Sequence, residues 1–159
     1  MPSRPEELIR LLDLKPHPEG GFYAEVYRSS SPVTTAAGST RPALSTIHFL
    51  LTIGQKSRWH RVDADEAWHF YEGAPLNLYW AHDLRSVHRA SVGPPDVDRQ
   101  PVAVVPAGAW QAAHSTGEYT LVGCSVAPGF DFAGFRLLAD HEGCEQWMRD
   151  CPPELARYL

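Results

Sequence analysis

The sequence has no run of lysine and arginine and no long apolar stretch. Its formal net charge is −5, from 14 Lys and Arg against 19 Asp and Glu. Without a basic patch, we expect neither a nucleic acid nor an anionic membrane surface as a partner. The apolar runs are too short to span a bilayer, and the N-terminus lacks the apolar core of a signal peptide. We therefore expect a single cytoplasmic domain over residues 1–159.

Cysteine is scarce, with three residues in the chain, an odd number. Cys124 lies in an apolar run and is predicted to be a small buried side chain. Cys144 and Cys151 lie about two helical turns apart, which is too far for a disulfide. No histidine-rich zinc pattern surrounds them. The cysteines thus predict neither a disulfide framework nor a zinc site.

Two helical segments flank a β-rich middle. Residues 3–14 predict a short amphipathic helix, since Ser3 and Glu6 have capping-box spacing before an apolar stripe. Residues 17–29, HPEGGFYAEVYRS, predict a turn at Gly20 and Gly21 and then a strand. The tail from Asp140 predicts helix, interrupted by consecutive prolines at 152 and 153.

From Leu44 onward, short β-like runs recur with turn residues between them and no helix. Such spacing favours a sandwich or jelly roll over a βαβ fold. The runs are LSTIHFLLT, EAWHFYEG, PLNLYWA, VHRASV, PVAVVPAG, EYTLVGCSV and FAGFRLL.

The stretch GQKSRWHRVDADEAWHFYEG places Gly54, His60, Glu66 and Gly73 at successive intervals of six, six and seven residues. These intervals resemble the first signature of the cupin superfamily, in which a His-x-His pair and a Glu supply metal ligands. Val62 stands where the family has the second histidine.

Residues 106–111, PAGAWQ, resemble the second cupin signature, with Gln111 in place of a histidine. The flanking segments HPEGGFY, WHFYEG, VVPAGAWQ and VAPGFDF are similar to a bacterial and fungal subfamily of small cupins. The resemblance implies an all-β fold, a double-stranded β-helix or cupin jelly-roll barrel, with its core at about residues 44–139. The short N-terminal helix and C-terminal helical segment flank it. It also implies a homodimer and a pocket at one mouth of the barrel.

The altered signatures bear on whether a metal is bound. His60 and Glu66 are good ligands for a divalent metal, but Gln111 offers only a neutral carbonyl oxygen and the valine offers nothing. His48 or His114 would have to complete such a site. We favour a pocket with no cofactor, in which His60, Glu66 and Gln111 bind a small-molecule ligand. A divalent metal held by those three residues is the alternative.

Ring-bearing residues near the signatures predict the walls of the pocket. His48, Trp68, Tyr79, Trp110 and Gln111 are our ligand-binding candidates, because such pockets combine apolar walls with a few polar groups. The alternative is that these aromatic residues fill the core and a dimer interface.

Strand alternation constrains the segment after Asp65. If Glu66 points into the barrel, so do Trp68 and Phe70, whereas His69 and Tyr71 point to the other face. We therefore expect His69 to be a packing or interface residue.

A second resemblance concerns residues 21–27. Gly21-Phe22-x-x-Glu25-x-Tyr27 is similar to a stretch of the dTDP-sugar 3,5-epimerases, which are metal-free jelly rolls with this strand near the nucleotide-sugar. The alternative is an edge or dimer-interface strand.

Three functions remain open at this point. The first is an isomerase, epimerase or lyase in which His60 and Glu66 are catalytic proton-transfer groups acting on a small polar or sugar-like metabolite. The second is a non-catalytic metabolite-binding module. The third is a metal-dependent oxygenase or isomerase.

Overall fold

The computed structural model describes residues 1–83 and 86–159, and most of the regular structure is β. The helices are α1 (Arg4–Leu11), α2 (Cys144–Asp150) and α3 (Pro153–Ala156), with single 3₁₀ turns at Phe132–Gly134 and Leu138–Asp140. The strands are β1 (Lys15–Pro16), β2 (Phe22–Arg28), β3 (Pro32–Thr34), β4 (Thr40–Pro42), β5 (Ser45–Thr52), β6 (Ser57–Arg61), β7 (Asp65–Gly73), β8 (Leu76–Ala81), β9 (His88–Val92), β10 (Val102–Val105), β11 (Trp110–Ser115), β12 (Tyr119–Ala127) and β13 (Arg136–Leu137).

Two antiparallel sheets form the barrel. One has the order β1-β2-β5-β12-β7-β10 and the other β13-β6-β11-β8-β9, while β3 and β4 form a separate hairpin. The main core joins both sheets, with Phe49 and Trp68 from the first packed in one cluster with Leu78 and Ala113 from the second. This is the double-stranded β-helix that the sequence predicts.

The outer face of each sheet is partly covered by a terminal segment. Leu8 and Leu14 pack with Leu50 and Leu121 on the outside of the six-stranded sheet. Trp59 and Trp110 pack with Tyr158 and other C-terminal residues on the outside of the five-stranded sheet. Since neighbouring residues of a strand face opposite sides, the strands supply apolar side chains to the interior and to these outer clusters.

Helix α1 begins as predicted and ends earlier than predicted. The backbone N–H of Ser3 donates to Glu6 Oε2 at 2.7 Å, as a capping box requires. The helix stops at Leu11, because Asp13 adopts a left-handed conformation with φ 49°. The Leu14 N–H then donates back to the Ile9 carbonyl at 2.9 Å, a Schellman ending that the leucine pattern does not reveal.

The predicted strand over FAGFRLL is largely wrong. Only Arg136–Leu137 is a strand, and Phe132–Gly134 is a 3₁₀ turn. The Asp131 side chain accepts a hydrogen bond from the Ala133 N–H at 2.9 Å and so starts that turn.

All three cysteines are free. Within the described ranges, no helix is long and apolar enough to cross a membrane.

Candidate functional site

A cavity of about 630 Å³ opens into the barrel beside the N-terminal segment. Its walls come from the turn between β1 and β2, from β2 itself and from the inner faces of β5, β6, β7 and β12. The polar groups at its floor are Glu19, His60 and Glu66, each under 10% exposed. The cavity thus brings two carboxyl groups and an imidazole together at a buried floor.

His60 is held by acceptors on both ring nitrogens. Its Nε2 lies 3.0 Å from Glu19 Oε2, and its Nδ1 lies 2.7 Å from the Arg58 carbonyl oxygen. A carbonyl can only accept, and an ionised carboxylate can only accept, so both nitrogens carry protons. Burial alone would lower the pKa of His60, but the Glu19 carboxylate, the charge of Glu66 and the hydrogen bond to the Arg58 carbonyl together raise it. His60 is therefore a buried imidazolium.

Glu19 is the counter-ion that the sequence analysis missed. Burial would raise the pKa of its carboxyl, but the neighbouring histidines and the Ser57 hydroxyl, which donates to Oε1 at 2.8 Å, lower it. The signal was present in the HPEGG segment, where a carboxylate precedes two glycines at a turn. Only the turn was predicted there, because the carboxylate's partner, His60, lies far away in the sequence.

The turn that carries Glu19 is docked on β6. The Arg58 N–H donates to the Glu19 carbonyl at 2.8 Å, and the Arg58 guanidinium donates to the Pro18 carbonyl at 2.9 Å. Gly20 has φ 110°, and a Cβ there would lie 2.0 Å from the Lys56 carbonyl oxygen. Only glycine fits this close backbone approach, which holds the Glu19 side chain over His60.

Glu66 points into the barrel from β7 and is held by two side-chain hydrogen bonds in series. Trp68 Nε1 donates to Gln111 Oε1 at 3.0 Å, which fixes the amide so that Gln111 Nε2 donates to Glu66 Oε2 at 2.6 Å. Burial is the main cause that raises the pKa of Glu66 to about 7, against the opposing charge of His60. Gln111 and Trp68 thus support Glu66 from within the core, and Glu66 borders the cavity.

His17 forms part of the same wall. Its side chain is 6% exposed and its ring contacts the rings of Tyr23, Phe49, Phe132 and Phe135. The Glu19 backbone N–H donates to His17 Nδ1 at 3.1 Å. Burial lowers the pKa of this imidazole, so it is neutral at pH 7.

None of the five predicted ligand-binding residues lines the cavity. Trp68 and Gln111 lie behind Glu66 in the core, and the other three lie on outer faces of the sheets. His48 lies on the outer face of the six-stranded sheet beside Tyr71, because its strand neighbours Ile47 and Phe49 face inward. Tyr79 and Trp110 lie in the outer cluster under the C-terminal segment. Trp110 neighbours Gln111 in sequence, and strand alternation sends the two side chains to opposite faces.

The alternation predicted along β7 is observed. Trp68 and Phe70 pack in the main core on the side of Glu66. Tyr71 contacts His48 on the outer face, on the side of His69. His114, the other suggested substitute ligand, bonds through Nδ1 to the Tyr158 hydroxyl, away from the cavity.

The residues at the signature positions do not fit a metal ion. Both nitrogens of His60 are protonated by the contacts above, so neither has a lone pair to offer. The Gln111 carbonyl oxygen is already used by Trp68, and the side chain of Val62 presents methyl groups to the cavity. Among residues 1–83 and 86–159, no group of three or more His, Cys, Asp or Glu side chains is arranged to hold a metal.

The rim of the cavity includes the strand that resembles the epimerases. Arg28 pairs with Glu25 at 2.8 Å and also donates to the Phe130 carbonyl at 2.8 Å. Tyr23, Glu25 and Arg28 all border the cavity. This strand therefore contributes to the cavity wall as well as to the sheet edge.

Comparisons with known proteins agree with this architecture. A hypothetical protein from Leishmania major is 33% identical, with 96% of this chain and 95% of that chain covered and a TM-score of 0.82. A Shewanella oneidensis protein is 31% identical, with 100% and 98% covered and a TM-score of 0.82. Oxalate decarboxylase from Bacillus subtilis is 17% identical over 88% of this chain and 32% of that one, with a TM-score of 0.58, and shows the fold alone.

The comparison with curated proteins gave no significant match. The family profile described as Cupin superfamily (DUF985) matches residues 6–138, which include both signatures and the Glu19 turn. This match supports small-molecule binding in the barrel. The chain therefore belongs to the cupin superfamily, in the family described as DUF985.

Proposed function

We propose that this protein is an enzyme that moves a proton on a small polar metabolite, as an isomerase, epimerase or lyase, with no metal in the proton-transfer step. One observation carries the proposal. A protonated imidazole, His60, lies in the cavity floor between two buried carboxyl groups whose pKa values are moved in opposite directions. Such separation of two carboxyl groups by their surroundings is how one site provides both an acid and a base.

Glu66 is the proposed proton-transfer group. Its pKa of about 7 means that the acid and base forms are both populated at neutral pH. A group with this property transfers protons efficiently in either direction. Hydrogen bonds to Gln111 and Cys124 hold the carboxyl group that takes up and releases the proton in one position.

His60 and Glu19 form the fixed electrostatic part of the proposed site. The imidazolium at the floor stabilises negative charge that develops on the substrate, and Glu19 keeps the imidazole protonated. The catalytic roles predicted for His60 and Glu66 are thereby divided, with His60 as a charge and Glu66 as the acid and base.

The test starts by finding a ligand. Purified protein is screened by thermal shift against a panel of sugars, sugar nucleotides, hydroxy acids and polyols. Compounds that raise the melting temperature are then incubated with the enzyme in D₂O, and exchange of carbon-bound protons is followed by NMR. We expect the wild type to catalyse exchange. In Glu66→Gln the exchange rate should fall by about 10²–10⁴-fold, which is the usual rate contribution of a general acid or base.

The matched control is Glu118→Gln, which changes the same group at an exposed site outside the cavity. It is expected to keep wild-type exchange. Exchange at an unchanged rate in Glu66→Gln contradicts the proposal. A ligand that stabilises the protein without any exchange identifies a non-catalytic binding module instead. Stoichiometric metal in untagged protein, lost in Glu66→Ala, would point to the metal-dependent alternative.

A further inference from the structure

The proposed function leaves His17 without a role, although its ring is more than nine-tenths buried and borders the cavity. Of its two ring nitrogens, Nδ1 accepts the Glu19 backbone N–H at 3.1 Å. A nitrogen that accepts cannot carry the proton of a neutral imidazole, so the proton is on Nε2. Nε2 has no hydrogen-bond partner in the described ranges and is therefore a donor available to a ligand.

The tautomer and the ring position are both fixed by the fold. Nδ1 is held by the turn that carries Glu19, and the ring is enclosed by the aromatic side chains of four residues. The Glu19 carboxylate lies 3.7 Å from Nδ1 and favours a charged ring, but burial is the larger effect and lowers the pKa of His17. Protonation of Nδ1 would also break the bond from the Glu19 N–H and place a second charge close to His60. The surroundings thus keep His17 as a neutral N–H donor rather than as a base or a cation.

A neutral imidazole N–H is suited to bind a substrate carbonyl oxygen on which negative charge develops. A preorganised N–H in a water-poor site stabilises charge that develops on a carbonyl oxygen when a neighbouring carbon loses its proton. A neutral imidazole can do this because it donates a hydrogen bond without giving up its proton. Glu66, in the same cavity, is the group that would take the carbon-bound proton.

We infer that His17 is a catalytic residue that polarises a substrate carbonyl through Nε2–H, and that the substrate class is an α-hydroxy aldehyde or ketone. This inference rests on the proposed function. In the first step the Glu66 carboxylate takes the proton from the carbon next to the carbonyl. The C–H electron pair forms the new C=C bond, and the carbonyl π pair moves to the oxygen that accepts the hydrogen bond from His17.

The step balances without any oxidant or reductant. Glu66 ends as the neutral acid and the substrate as an enediolate. Return of the proton to the former carbonyl carbon, with a proton shift between the two oxygens, gives the isomeric aldehyde or ketone.

A first test needs no substrate. In ¹⁵N-histidine NMR of the whole protein, we expect His17 to show an acceptor nitrogen at Nδ1 and a protonated Nε2 at pH 8 and at pH 7, since its pKa lies below its ordinary value. Protonation at Nδ1, or a charged ring at pH 7, overturns the inference.

The second test uses dihydroxyacetone, glyceraldehyde and fructose as probes, with exchange of their α-protons in D₂O followed by NMR. His17→Phe keeps an aromatic ring and removes the donor, and we expect it to lower the exchange rate by about 10²–10³-fold, as for loss of one oxyanion donor. His17→Gln, which keeps an N–H, is expected to recover part of that loss. His48→Phe makes the same change on the outer face and is expected to keep the wild-type rate.

Melting temperatures of all variants check that they remain folded. Wild-type exchange in His17→Phe, with loss in Glu66→Gln, overturns the role of His17 and leaves the proposed function standing. Exchange confined to compounds without a carbonyl overturns the substrate class alone. Normal exchange in Glu66→Gln contradicts the proposed function itself.

Discussion

Glu19 and Glu66 are both buried, yet their surroundings move their pKa values in opposite directions. Burial would raise the pKa of Glu19, but His60, His17 and the Ser57 hydroxyl together lower it, so its charged form is favoured. Burial raises the pKa of Glu66 more than the charge of His60 and the hydrogen bonds from Gln111 and Cys124 lower it, which favours its neutral form. The opposite pKa shifts follow from the groups that each carboxyl contacts and not from its degree of burial.

The raised pKa of Glu66 predicts a pH dependence of stability. In the unfolded chain the group titrates near 4.5, and in the folded protein at about 7. The folded state therefore binds more protons in this window, and the free energy of unfolding falls as pH rises through it, by about 3 kcal/mol in total. We expect urea denaturation between about pH 4 and pH 8 to show this loss in the wild type and not in Glu66→Gln.

Glu118→Gln serves as the comparison, since its carboxyl is exposed. If the wild type and Glu66→Gln give parallel stability curves over this range, then Glu66 titrates near its ordinary pKa in the folded protein.

At the residue level, the sequence predicted the face of a strand on which a side chain lies better than it predicted which distant residue that side chain contacts. Strand alternation placed Glu66, Trp68 and Phe70 on the inside, because it depends only on neighbours in one strand. It could also have placed Trp110 outside, had its alternation with Gln111 been applied. The pairing of Glu19 with His60 depends on which turn docks against β6, and no local pattern encodes that.

Among the elements, the turn between β1 and β2 matters most for the cavity. It carries both His17 and Glu19, and its backbone is fixed by hydrogen bonds to Arg58. The sequence predicted a turn from the paired glycines. It did not predict how closely the turn approaches Lys56, since that contact joins segments that are distant in the chain.

This contact predicts a contrast between two glycines. Gly20 and Gly38 both have positive φ, at 110° and 83°, but a Cβ meets the Lys56 carbonyl at Gly20 and nothing within 4 Å at Gly38. We expect Gly38→Ala to cost about 1–2 kcal/mol from backbone strain alone. Gly20→Ala is expected to cost at least about 3 kcal/mol, because the turn must also move.

Chemical denaturation measures both losses, and ¹⁵N NMR of His60 reports whether Glu19 has moved away from it. Equal losses in the two variants, with His60 unchanged, would mean that the turn adapts to a side chain at position 20.

Considered as a whole, the molecule is a barrel whose two sheets are each covered on the outside by a terminal segment. The residues after 138 lie beyond the matched family profile and pack on Trp59 and Trp110. The Trp59 indole N–H donates to the Leu155 carbonyl at 2.9 Å, and the Trp59 backbone N–H donates to the Tyr158 carbonyl at 2.8 Å.

Assembly as a homodimer stays a prediction. Strand β2 offers an edge for it, since β1 pairs only with Phe22 and Tyr23.

Deletion of residues 141–159 should therefore destabilise the barrel. It exposes two tryptophans and removes the buried side chains of Leu155 and Tyr158, at roughly 2–5 kcal/mol for each large side chain. We expect a lower melting temperature, a red shift of tryptophan emission and binding of a hydrophobic dye. Met148→Ala, at a position that is 44% exposed, is expected to change none of these. A deletion variant as stable as the wild type would show that residues 141–159 do not stabilise the barrel.

The ion pair between Glu19 and His60 joins the segment before β2 to a strand of the opposite sheet. If that segment lifts away while the barrel stays folded, His60 loses its counter-ion inside an apolar cavity and gives up its proton. The strands would remain in place, but the imidazole of His60 would be neutral. The charge of His60 is thus tied to the docking of the segment before β2, because that segment carries its counter-ion.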